Sequence, residues 1–140
     1  MPESTSFEYA VIRVVPYVER QEFVNAGIVL FCKTLDFLGA MIDFELGRLR
    51  FFSPKSDFKM IRDQLQTIST ICSGGTEAEH FAKWSKSERF NWLVSPSSTI
   101  IQMSPVHSGI NDDPSEALKH LYELLVAWEE EKHRPPSVST

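Results

Sequence analysis

Two runs near the start of the chain limit what it can fold into more than anything else in its sequence. In Phe7 to Val15 (FEYAVIRVV), the set Phe7, Tyr9, Val11, Arg13 and Val15 alternates with Ala10, Ile12 and Val14, and both sets are largely apolar. A strand of that kind has to be central or covered on both faces. Pro16 stops the run, since proline brings no N–H to a ladder. Phe23 to Cys32 (FVNAGIVLFC) reads as a second strand, apolar nearly throughout and interrupted by Asn25 and Gly27. A glycine inside a strand marks a bulge or the close approach of another backbone. The short polar link Lys33–Asp36 leads to a third strand, Phe37 to Phe44. So short a link joins antiparallel neighbours, which makes a meander the simplest beginning.

Helical periodicity takes over further on. Ser53-Pro54 offers a serine N-cap with proline at the first helical position. Phe58, Ile61, Leu65, Ile68 and Cys72 then trace one helical stripe, ended by Ser73-Gly-Gly75. Residues 76–97 read as a loop with a short helix around Ser87 to Leu93. Ser98 to Ser104 is β-branched and reads as a fourth strand. From Pro114 a second stripe runs through Ala117, Leu118, Leu121, Leu124, Leu125 and Trp128. The expectation is an α+β domain in the order β-β-β-α-(α)-β-α. Its sheet is mostly antiparallel, of about four strands, with two long helices packed on one face. A chain of 140 residues, 42% of them hydrophobic, suits a single domain, placed at 6–133 between flexible tails at 1–5 and 134–140.

Charge and cysteine content narrow the function classes. A formal charge of −5 works against binding that rests on neutralising phosphates. Cys32 and Cys72 form no CxxC pair and no Cys/His spacing of a structural zinc site, so they read as reduced thiols and no metal is expected. No apolar run nears the ~18 residues of a membrane span, and MPESTSFEY lacks the pattern of a secretory signal. The expected compartment is the cytoplasm.

The stretch SPVHSGINDDP, Ser104 to Pro114, gathers the chemistry-bearing residues. Asp113-Pro114-Ser115-Glu116 is accounted for as a helix start with a capping box. Gly109 reads as a turn glycine. His107 follows a strand, precedes a helix and has no capping duty; it is either a loop anchor or a general acid/base. Glu22 or Asp112 could orient it or hold a divalent metal. Glu22 and Asn25 flank the start of the second strand, Asn25 needing partners where buried. Arg89 could bind an anion or pair with Glu22. Ser104 and His107 are not a nucleophile–base signature, because spacing along a loop fixes no orientation. His80, His120 and His133 are scattered. No GxxxxGK[ST], GxGxxG or HExxH is present, so no cofactor can be named. Arg13, Arg20, Lys83, Lys86 and Arg89, with Trp84 and Trp92 as stacking platforms, make a nucleic-acid-binding module that the overall acidity disfavours.

YAVIRVVPYVERQEFVNAGIVLFC, FLGAMIDF, RFNWL and STIIQMSPVHSGINDDPSEALKHLYELLV, in that order, resemble the bacterial DUF3037 family, a domain of unknown function. The resemblance covers roughly Phe7 to Val126 and is most specific in EFVNxG and SPVHxG. It places Glu22, Asn25, Gly27, Arg89, Ser104, His107 and Gly109 on the family's pattern. Family sequences tend to carry Arg-Gly-Glu where this chain has Arg20-Gln21-Glu22, which speaks against a tight glycine turn at 21. The resemblance implies a fold and a set of positions rather than a reaction. It also implies an association with neighbouring genes for HipA-like kinases. The functional expectation is therefore a small binding or accessory domain, a partner of such a kinase. The alternatives are a hydrolase-type enzyme built on His107 and the nucleic-acid module. An exposed edge of the meander could also support a homodimer.

Overall fold

The computed structural model describes residues 5–74, 83–97 and 99–127. The C-terminal tail, most of the N-terminal one, and Trp128, His80 and His133 lie outside the described residues.

The meander forms as the apolar runs require. β1 (Ser6–Val14), β2 (Val24–Cys32) and β3 (Phe37–Ile42) pair antiparallel in sequence order. The interruption at Asn25 and Gly27 is a bulge: Ile12 faces Gly27 and Arg13 faces Asn25, so Ala26 is the extra residue. Between β1 and β2 a short 3-10 turn (Val18–Arg20) ends on Gln21, whose φ of 58° is left-handed. The tight turn is thus made by a glutamine.

The sheet has five strands. β4 (Ile101–Met103) and β5 (His107–Ile110) lie end to end along the outer edge of β1. SPVHSG is therefore not a turn, and Gly109 is a strand glycine. Ile12 faces Met103 and Tyr9 faces His107, so three steps on β1 are matched by four on the edge. The extra residue falls in Ser104–Val106 and makes a second bulge. An edge strand exposed on one side needs little apolar alternation, which is why this one reads as a loop in the sequence.

α2 (Phe58–Ser73) starts later than Ser53-Pro54. Its N-cap is Asp57, whose carboxylate accepts from the Met60 N–H at 3.1 Å. Ser53 instead closes α1 (Gly47–Phe52), donating its N–H to the Leu49 carbonyl at 2.7 Å. α1 has no counterpart in the sequence reading. It is begun by Asp43, whose carboxylate collects the N–H groups of Glu45, Leu46 and Gly47. α3 (Lys86–Leu93) opens on a Ser85–Glu88 capping box. α4 (Pro114–Leu125) opens on Asp113 with Pro114 behind it, as its sequence foretells, but the capping box does not close: the Asp113 N–H donates to Asn111 Oδ1 at 2.8 Å instead of to Glu116.

The two long helices do not share a face. Ala10, Ile12, Val14, Val29 and Phe31 pack with residues of α1, α2 and α3, and Phe31 stacks on Phe90 at 5.5 Å between ring centroids. Phe7, Val11, Ile28, Leu30 and Cys32 point the other way and pack with Ala117 and Leu118 of α4. The reason is the double apolar character of β1 and β2. Helices on one face alone would leave Val11, Ile28 and Leu30 in water, at a cost of about 1.5–3 kcal/mol for each side chain.

Candidate functional site

Several of the polar residues singled out in the sequence make hydrogen bonds that hold the fold together, although the Arg89 Nε, like that of Arg13, is buried without a partner among the described residues. Ser104 is 3% exposed, at the bulge between β4 and β5. Its backbone N–H donates to the Val11 carbonyl at 2.9 Å, and its Oγ accepts from the Val11 N–H at 2.8 Å. The hydroxyl stands in for the ladder carbonyl that the bulge takes away, and donates in turn to the Pro105 carbonyl at 2.9 Å. Asn25 donates from Nδ2 to the Leu125 carbonyl at 3.0 Å, tying β2 to the end of α4. Arg48 of α1 holds the same helix end through the Val126 carbonyl at 3.2 Å.

Arg89, 8% exposed, does for α2 what Asn25 and Arg48 do for α4. Its Nη1 donates to the carbonyls of Ile71 at 2.8 Å and Cys72 at 3.2 Å. A cation is well placed there, because the last carbonyls of a helix are unpaired and carry partial negative charge. Gly74, with φ of 70°, completes the cap, and a Cβ on it would meet that Nη1 at 2.9 Å. Burial pushes the Cys72 thiol up from its ordinary 9.0 to about 12, with the Arg89 charge pulling weakly the other way. Arg89 does not reach Glu22, which pairs with Arg20 at 3.6 Å on the exposed β1–β2 loop.

His107 is exposed, its ring 5.4 Å from that of Tyr9. Glu22 belongs to the other end of β1. Tyr9 faces His107 and Val14 faces Val24, five residues or about 16 Å apart along an extended strand. Asp112 is exposed beyond the opposite end of β5. The structure therefore does not gather His107, Glu22 and Asp112. Asn25 and His107 share the α4 face of the sheet, whereas Arg89 lies with α2 on the other. Among the described residues no cluster of three or more His, Cys, Asp or Glu could hold a metal ion. The basic and aromatic residues of the nucleic-acid reading are likewise divided: Arg13 stacks on Phe23, Arg20 on Tyr17, and Lys86 binds Asp36.

Two cavities were not foreseen. A groove of about 480 Å³ lies between α2, α3 and β4, its apolar wall made by Ile68, Ile71, Leu93, Ile101 and Met103, with Trp92 half exposed at its side. The edge strand turns its even-numbered backbone groups inward: the Ser104 N–H reaches Val11, and the Ile100 carbonyl accepts from Val15 at 2.7 Å. The N–H groups of Ile101 and Met103 therefore point away from β1, along the rim of the groove. On the other face, Arg13, Val15, Val18, Gln21, Phe23 and Gln102 enclose about 370 Å³. The one hint of this second cavity in the sequence is a charged residue, Arg13, inside an apolar strand.

No helix among the described residues is long and apolar enough to cross a membrane. No curated protein and no solved structure matches the chain. One family model does: a protein of unknown function, DUF3037, matching residues 9–126. That match takes in β1 from Tyr9 onward, the serine bulge, the Asn25 tether and all of α4, and the chain belongs to the DUF3037 family.

Proposed function

We propose that this chain is a small accessory domain that binds a partner protein, a HipA-like kinase. The observation that carries the reading is the groove between α2, α3 and β4, with backbone donors of an open strand along its rim. An extended segment of a partner can add to such an edge through main-chain hydrogen bonds while a side chain enters the apolar groove. The use of Ser104, Asn25 and Arg89 as fold tethers supports the same reading. The kinase as occupant rests on the family resemblance.

The test is co-expression with a HipA-like kinase from the same genome, followed by gel filtration at micromolar concentration. One shared peak is the expected outcome; two separate peaks end the proposal. Thr67→Arg places a long cation into the groove from the exposed side of α2 and should weaken the complex at least tenfold, as should Trp92→Ala. A complex untouched by both variants would remove the groove as its site.

A further inference from the structure

We propose that the cavity at Arg13 binds the carboxylate group of a small organic acid or of a peptide C-terminus. Arg13 sits on β1 with its Cζ 4.1 Å from the centroid of the Phe23 ring. Stacking occupies the face of a guanidinium and leaves its in-plane N–H donors for a ligand. The Arg13 Nε is buried and has no hydrogen-bond partner among the described residues. The ion pairs found among the described residues engage Arg20, Lys59 and Lys86 and not Arg13. Glu22, on the adjoining loop, is held by Arg20. A cation partly withdrawn from water without a counter-ion calls for an anion.

The rest of the cavity describes that anion. A flat two-oxygen group matches the guanidinium fork in bidentate fashion. Gln102, opposite Arg13 in register, and Gln21 place amides around the same space. Val15 and Val18 give an apolar wall for the carbon that bears the carboxylate. A volume of about 370 Å³ exceeds the needs of acetate and suits an amino-acid-sized acid or a chain end. Arg13 and Gln102 lie on the face opposite Ile101 and Met103, so this site and the partner groove are tested separately.

The experiment follows arginine Nε–Hε signals of the ¹⁵N-labelled protein by NMR. The Arg13 signal is identified by its loss in Arg13→Lys. The probes are N-acetyl-leucine, N-acetyl-leucinamide, inorganic phosphate, and a tetrapeptide with a free or an amidated C-terminus. The acids should shift the Arg13 signal saturably and the amides should not. Arg13→Lys keeps the charge but loses the fork, and Phe23→Leu loses the stack. Each should bind the acids about tenfold more weakly, read at the Gln102 side-chain amide, with the backbone spectrum showing that the variant is folded. A tighter tetrapeptide assigns a chain end, and a tighter N-acetyl-leucine a small acid; either upholds the site. No saturable shift, an equal shift with the amides, tighter binding of phosphate, or unchanged affinity in Arg13→Lys would overturn it.

Discussion

At the scale of single residues, this domain uses polar groups to repair breaks in its own backbone pattern. Ser104 shows this most directly. Its hydroxyl accepts from a buried N–H that the bulge would otherwise leave unmet. Ser104→Ala should cost about 1–3 kcal/mol, read from urea unfolding, because an unpaired buried donor loses its full hydration. Ser104→Thr, which keeps the oxygen, should cost less. Gln21 is the opposite case. Its left-handed φ of 58° is strained for any residue with a Cβ. Gln21→Gly should stabilise the fold by up to about 1 kcal/mol in the same assay, the relief of strain outweighing the entropy of the more flexible chain. Gly109 tolerates no side chain: a Cβ there would run into the Phe7 ring. His107 carries a different expectation. With the Tyr9 ring as its neighbour on an exposed strand, His107→Ala should leave both fold and partner binding within about 0.5 kcal/mol of the parent, as surface changes do.

At the scale of elements, the recurring device is a side chain that ties down a helix C-terminus. Arg89 holds α2, and Asn25 with Arg48 holds α4. Each tie crosses from one element to another, the two on α4 from a strand and a helix far back in the chain and that on α2 from the next helix, so each fixes a docking angle as well as capping carbonyls. Asn25→Ala should raise hydrogen-exchange rates along the last turn of α4 while leaving α2 unchanged. Arg89→Met should do the reverse, loosening α2 at Ile71 and Cys72. These elements also show what could be read in advance. α3 and α4 carry their start signals in Ser85–Glu88 and Asp113-Pro114, so their positions were legible. Ser53-Pro54 carries the residue types of a helix start, but it is Asp57 that caps α2. α1 depends on the three N–H groups collected by Asp43, a local geometry that no apolar stripe announces.

At the scale of the whole molecule, two cores on opposite faces of one sheet set the response to pH. The Cys72 thiol has a folded value of about 12 against an ordinary 9.0. Between those values the unfolded chain gives up a proton that the folded chain keeps. The stability due to the neutral buried thiol is thus present below pH 9 and lost as pH rises towards 12. Parent and Cys72→Ala unfolding curves, compared from pH 8 to 10.5, should converge as pH rises. The parent's thiol should also resist iodoacetamide at pH 8 until the domain is unfolded.

The apolar runs at Phe7–Val15 and Phe23–Cys32 were enough to require an antiparallel sheet with both faces covered, and the two helical stripes named what would cover it. Those properties follow from side-chain periodicity along neighbouring residues. Which helix takes which face, how SPVHSG joins the sheet, and whether Glu22, Asn25, Arg89 and His107 meet are matters of long-range packing. Volume filling and the pairing of buried donors with acceptors decide them, and both depend on residues about 100 positions apart, as in the bond from Asn25 to Leu125. For the same reason Arg13 and Gln102 form one cavity only when β4 lies against β1, a neighbour relation that periodicity within either strand does not contain.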